Sequence, residues 1–378
     1  MKRDVKREII TSLVLAVFCV ILLLLPRSAS SFTQNGTREK AVVLTVDNSH
    51  VTMHGHLKYG PQNLTVRLKT GEHKGKVFQA SNEMRAQLEL DKEFKIGDLI
   101  LVNMQKEDTP GKSVLIAQEH DRSVWFWILA ATFCAALCIF GGWTGVKALL
   151  SFVVSCLVIW KVMLPLVLKG CDPIWISFIC VCLLTAIIQF LIAGLNRRGI
   201  TAFLGAIAGV FAGTLTAYLF TLVMKINGAV LPYSQALLYS GYETLNLQNI
   251  FIGAIILGCS GAVMDLAMDI STGMNEIVTH SPEISRKKLV ASGMAIGRNV
   301  VGTMTTTLLL AYSGGYITLL MMFYVQGNHP LDFINNPLVA SESVKTLVGS
   351  FALVLVAPLS AVAGGFFLKK NQKTDLQS

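Results

Sequence analysis

Two aspartates stand four residues apart in an otherwise apolar stretch, GAVMDLAMDI, which covers residues 261–270. Because an α-helix turns once every 3.6 residues, Asp265 and Asp269 lie on one face of the helix that this stretch predicts. An ionised carboxylate at the centre of a bilayer costs on the order of 3 kcal/mol, so it needs a partner, water or a bound ion. The pair is therefore the first candidate for a functional site.

A second polar group follows in AIGRNVVGTMTTT, residues 295–307. Arg298 and Asn299 lie one to two turns inside the next predicted helix, and the hydroxyls of Thr303 and Thr306 come after them. If the chain enters this helix from the cytoplasm, the depth of Arg298 matches that of Asp265. Two hypotheses follow: a structural ion pair closes the helix bundle, or the patch accepts a proton, a cation or a small solute. The second carboxylate and the threonines favour the latter.

The composition places these residues in a membrane. The 378-residue chain is 53% hydrophobic and 15% charged, with a mean hydropathy of +0.57, which excludes an ordinary soluble protein. A bilayer core about 30 Å thick needs about 20 apolar residues per helix, and the chain offers about eight such windows. They cover approximately 9–25, 124–141, 146–164, 174–195, 200–224, 249–270, 291–313 and 346–368, and a continuation of the seventh to Val325 is the alternative. The tight GGWTG turn separates the second from the third.

Lysine and arginine collect in alternate loops, and such segments stay in the cytoplasm. MKRDVKR at the start, Arg197 with Arg198, the run 286–288 and Lys369 with Lys370 fall on one side if there are eight spans. We therefore expect a multi-pass protein with both termini cytoplasmic. The net charge of +9 then reflects membrane topology, and nucleic acid is not an expected partner.

One polar block interrupts the apolar spans. Residues 31–122 contain short runs rich in β-branched residues, such as AVVLTVD and DLILVNM, with balanced charges. The predicted fold class is an all-α polytopic helical bundle with a small β-rich extracytoplasmic barrel or sandwich inserted after the first span. The GDLILV run is found in small barrels of the OB type.

Four segments result from this division. Residues 1–30 form the cytoplasmic N-terminus and first span, 31–122 the extracytoplasmic domain, 123–368 the helical membrane domain and 369–378 a cytoplasmic tail. The first span is interpreted as a signal anchor. A cleavable signal peptide, with Ser28-Ala29-Ser30 as the cleavage region, is the alternative.

Metal and cofactor sites are not predicted. The HVTMHGH stretch offers His50, His54 and His56, but no cysteine joins them, and exposed strand-end histidines are the simpler interpretation. The eight cysteines lie in the spans apart from Cys171, so no disulfide framework is expected. Asp265 and Asp269 alone offer too few oxygen ligands for a cation, and Arg298 would oppose one.

Glycines recur every fourth residue in several spans and predict close helix packing. Sliding or bending during a transport cycle is the alternative role. The glycines concerned are Gly205, Gly209 and Gly213 in the fifth span, Gly261 in the sixth, and Gly297 and Gly302 in the seventh.

The stretches GAVMDLAMDISTGMNEI and SGMAIGRNVVGTMTTTLLLAYSGG resemble the core signature of the YibE/F family of bacterial multi-pass membrane proteins. The resemblance runs from about Arg122 to the C-terminus and implies a bacterial cell membrane location and a transport role without a known substrate. Asp265 and Arg298 match the family pattern. An aspartate is common at the position of Asn299 and a small polar residue at that of Asp269, so the chain departs from the pattern at both.

The expected function is transport of an unidentified small solute or ion through a polar intramembrane site between the sixth and seventh spans. The alternative is a membrane scaffold or sensor whose extracytoplasmic domain binds a ligand or a partner. For either function, the expected partners of the protein are the lipid bilayer and either another membrane protein or further copies of the chain. An enzyme is not expected, because an intramembrane aspartyl protease needs aspartates on two facing helices and no other catalytic motif is present.

Overall fold

The computed structural model describes residues 17–24, 37–88, 90–104, 115–327 and 329–369. The chain forms two compact units. The barrel unit is Ser28–Ala136, and the helical unit is Met1–Arg27 with Leu137–Ser378.

The described part of the barrel unit contains six strands, and five of them form at β-branched runs such as AVVLTVD and DLILVNM. The strands are β1 (Thr37–Asp47), β2 (Thr52–His54), β3 (Leu57–Leu68), β4 (Val77–Arg85), β5 (Leu99–Met104) and β6 (Leu115–His120). The short strand β2 was not predicted.

The sheet closes on itself. Its order is β1-β5-β6-β4-β3-β2, and β1 also pairs with β3, so five strands complete a barrel while β2 extends β3 as a hairpin. The pairing of β4 with β6 is parallel, and the other pairings are antiparallel. This connectivity is that of an OB-type barrel, so of the two predicted β architectures the barrel is the one formed.

A buried amide closes the barrel core. Gln62 is fully buried; its Nε2 donates to Asn48 Oδ1 (2.9 Å) and to the Phe94 carbonyl (3.1 Å). Its Oε1 accepts from the Phe94 backbone N–H (3.1 Å) and from Asn82 Nδ2 (3.1 Å). All four hydrogen-bonding positions of the amide are thus used, and they hold the ring of Phe94 in the core formed by residues such as Leu64 and Ile100.

The helical elements follow in chain order. Residues 17–24 are the described part of α1. The others are α2 (Ser123–Val158), a π-helical turn (Ile159–Met163), α3 (Leu164–Leu168), α4 (Pro173–Ala193), α5 (Arg197–Val223), α6 (Ser234–Tyr239), α7 (Leu247–His280), α8 (Arg286–Gly315), α9 (Ile317–Gln326), α10 (Pro330–Asn335) and α11 (Pro337–Phe367).

The predicted GGWTG turn breaks α2 at Gly142, whose φ of 51° lies in the left-handed region that favours glycine. Beyond the break, Gly145 packs so closely against the carbonyl of Leu137 that a side chain would not fit. In a continuous helix, residues eight apart are separated by about 12 Å. Because Gly145 instead contacts Leu137, the chain reverses direction at this break. The two halves of α2 are separate helices, as the turn predicts.

Among the described residues, five helices are long and apolar enough to cross a membrane, and the pair α8 and α9, bent by 71°, makes a sixth candidate. This count joins 123–168 into one span despite the break at Gly142. The chain thus contains a helical membrane bundle and a small β barrel. The number of eight spans, the side of the membrane that the barrel occupies and the cytoplasmic termini stay predictions. Most of the first predicted span, 9–25, lies outside the described residues.

Three predicted boundaries need correction. The sixth span extends to His280 in α7, because STGMNEIVTH continues the helix beyond the apolar window. The seventh bends sharply after Gly315. The eighth begins at Pro337 rather than near 346, because Asn336 caps the helix by accepting from the Leu338 backbone N–H (3.0 Å).

Helix α7 is the centre of the helical unit, and α4, α5, α8 and α11 surround it. Asn249 near its start donates to Asp172 at the start of α4 (2.9 Å), and the hydroxyl of Ser271 donates to the carbonyl of Arg198 at the start of α5 (2.6 Å). Between Asn249 and Ser271 the helix climbs about 33 Å. We call the part of the helical unit between these two contacts the apolar layer; its extent along α7 matches the thickness of a bilayer core.

Candidate functional site

The two aspartates of α7 lie on its exposed side. At 1.5 Å per residue, Asp265 is about 9 Å inside the apolar layer from the level of Ser271, and Asp269 is about 3 Å inside it. Their neighbours on the same stripe are small: Ala254, Gly258 and Gly261 are also exposed. The carboxylates thus stand on a surface without bulky apolar side chains.

The polar residues of α8 are exposed as well. Arg298 and Asn299 stand together, and Gly302, Thr303 and Thr306 follow on the same side. The hydroxyl of Thr303 donates to the Val300 carbonyl (2.9 Å), and that of Thr306 donates to the Gly302 carbonyl (3.1 Å). Their donors are therefore used within the helix, and their oxygens are left to accept.

The contacts between α7 and α8 fix which residues share a level. Gly273 packs against Ile296, and Ile270 packs against Gly297, so Asp269 is level with Arg298 and Asn299. Because the helices are antiparallel, the turn of α7 from Asp269 back to Asp265 lies beside the turn of α8 from Asn299 on to Thr303. The expectation that Arg298 matches the depth of Asp265 is therefore off by one helical turn.

Among the described residues, no ion pair joins either aspartate to Arg298. We name the exposed polar and small residues of these two adjacent helices the α7–α8 polar face: Gly261, Asp265, Asp269, Arg298, Asn299, Gly302, Thr303 and Thr306. The sequence-predicted site residues thus lie exposed on two adjacent helices, and within the described ranges their charges form no ion pair with one another.

The glycines divide into two groups. A side chain on Gly205 would collide with Ser360, one on Gly209 with Val356 and one on Gly213 with Ala352, so α5 lies close against α11. Gly297 likewise meets Ala357 of α11. Gly261 and Gly302 have nothing within 4 Å, which leaves room beside the polar face.

A second polar group lies near the start of α11 and was not singled out from the sequence. Lys345 Nζ lies 2.6 Å from Glu342 Oε1, and each side chain is only 14% exposed. The same ammonium group lies over the rings of Phe251 (5.5 Å) and Tyr316 (5.7 Å). The signal in the sequence is the pair in SESVKTL, three residues apart, directly before the predicted eighth span.

A pocket of about 260 Å³ adjoins this ion pair at the bend between α8 and α9. Tyr312, Tyr316 and Leu320 line it from the bent pair, Phe333 from α10, and Glu342 and Leu347 from α11. Oε2 of Glu342 is buried, and the carboxylate lies beside the side chain of Tyr316. We name this cavity the α8–α9 pocket. It combines a mostly apolar wall with one carboxylate.

Histidine, cysteine and acidic side chains do not gather into a metal site: within the described ranges no three of them lie close enough to share an ion. His54 ends β2, and His50 and His56 lie in the turns beside it.

Comparison with protein families agrees with the two-part structure. The model of the YibE/F-like protein family matches residues 129–370, and that of the YibE/F family N-terminal domain matches residues 34–118. The chain belongs to the YibE/F-like family. The N-terminal match of this YibE/F-like protein covers the barrel strands, and the longer match covers α4–α11. No curated protein and no solved structure matches the chain.

Proposed function

We propose that this YibE/F-like protein transports a small solute or ion across the cell membrane, by a route along α8 from the α8–α9 pocket to the α7–α8 polar face. The observation that carries the proposal is the exposure of Asp265 about 9 Å inside the apolar layer. Ionisable groups at such depth face a protein interior or water rather than lipid.

The exposed sides of two helices in the same unit differ in kind. On α11 the exposed side chains include Leu347, Phe351 and Val354, which suit contact with lipid. On α7 the exposed stripe has alanine, glycine and aspartate in their place. A surface of this composition is poorly suited to contact with lipid.

The side chain of Tyr312 lies between the two ends of the proposed route, the α8–α9 pocket and the α7–α8 polar face. Tyr312 lines the α8–α9 pocket, and its hydroxyl packs against Gly258 on α7. Gly261, with open space beside it, is one turn further along α7 towards Asp265. Rotation of the Tyr312 ring would open or close the way from the pocket to the polar face. Many transporters bind their substrates where a helix is broken within the membrane, and the 71° bend between α8 and α9 supports this role for the pair.

Purified protein in liposomes tests the proposal. Uptake of protons, sodium, potassium and a panel of amino acids and organic cations is measured for the wild type, Asp265→Asn and Glu276→Gln. Glu276 is an exposed acid on α7 beyond the apolar layer, so its variant is a matched control. We expect flux of at least one probe in the wild type and the control, and its loss in Asp265→Asn with the protein still folded.

Equal flux in wild type and Asp265→Asn would remove Asp265 from the route. Absence of flux for every probe, with a folded protein, would favour the scaffold or sensor function. The proposal includes no chemical catalysis, and its partners are the lipid bilayer and the transported solute.

A further inference from the structure

We infer that the α7–α8 polar face is the contact surface between two copies of this chain, with Asp269 of each copy paired with Arg298 of the other. The inference does not depend on transport, since its test measures association. The second copy would cover the α7–α8 polar face, a charged surface that is exposed in the described part of one copy.

This pairing is possible because Asp269 and Arg298 lie at the same level along the axes of α7 and α8. Two copies in one membrane are related by an axis perpendicular to it, so each residue keeps its depth in the partner. A charge can therefore pair only with an opposite charge at its own level. The contacts of Gly273 with Ile296 and of Ile270 with Gly297 put Asp269 and Arg298 at one level, so the condition is met.

The distribution of charge is self-complementary. The acids of the face lie on α7 and its arginine lies on α8. A two-fold axis brings α7 of one copy against α8 of the other, so that the aspartates of each copy lie opposite the arginine of its partner. The same-chain pairing that would make a partner unnecessary is not formed, because no ion pair joins these side chains within the described residues.

The shape of the face allows close approach. Gly261 and Gly302 have no atoms within 4 Å of where a side chain would begin, and Asp265 is level with a threonine across the helix pair. Small residues at a helix surface let another helix come near, and threonine oxygens can accept hydrogen bonds from it. Asp265 is then screened from lipid by the second copy.

Charge exchange between copies tests the inference. Asp269→Arg and Arg298→Asp are expressed separately and together, with different affinity tags, and self-association is measured in detergent and in membranes by co-purification. Each single variant places like charges opposite each other and should associate at least about tenfold more weakly than the wild type. Co-expressed, the two variants restore both opposite-charge contacts and should form a mixed dimer.

The mixed dimer is diagnostic, because pairing within one chain could not be repaired by a second chain. Glu283→Arg and Lys288→Asp, exposed residues at the connection of α7 and α8, provide the control and should associate like the wild type. Thr306→Trp tests the face without changing charge and should also weaken association. Wild-type protein that is monomeric in membranes, or single variants and Thr306→Trp that associate normally, would overturn the inference.

Discussion

The ammonium group of Lys345 lies 2.6 Å from the carboxylate of Glu342 one turn along α11, and neither side chain is more than 14% exposed. Because each charge is removed from water, each depends on the other. Phe251 and Tyr316 present the faces of their rings to the ammonium group, and the Tyr316 side chain also hydrogen-bonds with Glu342. The pair therefore ties α11 to the start of α7 and to the bend after α8.

Loss of one partner should destabilise the helical unit. Glu342→Gln leaves the Lys345 charge buried without a counter-charge and should cost about 3 kcal/mol, which lowers the melting temperature in detergent. Combining it with Lys345→Met should recover much of the loss. Glu243→Gln, an exposed acid before α7, is the control and should melt like the wild type. A melting temperature unchanged by Glu342→Gln would show that the pair contributes no stability.

The membrane topology can be tested by reporter fusions. We expect a reporter after Asp121 to be active outside the cell, and reporters after Gly142 and Gln377 to be active in the cytoplasm. The basic loops predict this orientation, and the reversal at Gly142 is consistent with two crossings between Arg122 and Cys171. Activity of the Asp121 fusion in the cytoplasm would contradict the predicted side of the barrel.

The barrel should fold alone, and Gln62 should be its most sensitive polar residue. In a fragment covering 31–123, Gln62→Ala should lower the free energy of unfolding by about 3 kcal/mol, because the Phe94 backbone and Asn82 lose buried partners. Gln79→Ala on the exposed side of β4 is the control and should change the free energy of unfolding by less than about 0.5 kcal/mol. Urea titration followed by circular dichroism measures both, and chelator should leave the wild-type curve unchanged.

The stability of the barrel should fall at low pH through Asp121. A hydrogen bond from Lys40 (2.7 Å) and another from Ser123 lower the pKa of Asp121 from its usual 3.8 to about 2. Because the folded-state pKa is the lower one, the stabilisation is fully present above pH 3.8 and is lost as the pH falls towards 2. Asp121→Asn should therefore destabilise the barrel at pH 7, by at most about 2 kcal/mol, and by progressively less as the pH falls through 2. A difference between wild type and variant that does not change with pH would contradict this account.

Local patterns of residue type in the sequence predict much of this architecture. Long apolar windows predict α4 and α5 to within a few residues, and alternating β-branched runs predict the strands, because hydrophobic periodicity and propensity act over a few residues. The turn at Gly142 follows from a glycine pair between two apolar runs. The two stretches around Asp265 and Arg298 identified the family, which the family models confirm.

Only the tertiary structure decided which side chains meet. The parallel pairing of β4 with β6 closes the barrel, and it joins residues that no local pattern links. The level of Asp269 with Arg298 depends on how α7 and α8 are shifted along each other, which side chains such as Ile296 and Gly273 settle by packing. Glu342 and Lys345 look like surface charges in sequence, because helix α11 starts nine residues before the apolar window that predicts it. Their burial comes from Phe251 and Tyr316, which lie far away along the chain and reach the pair only when the helices assemble.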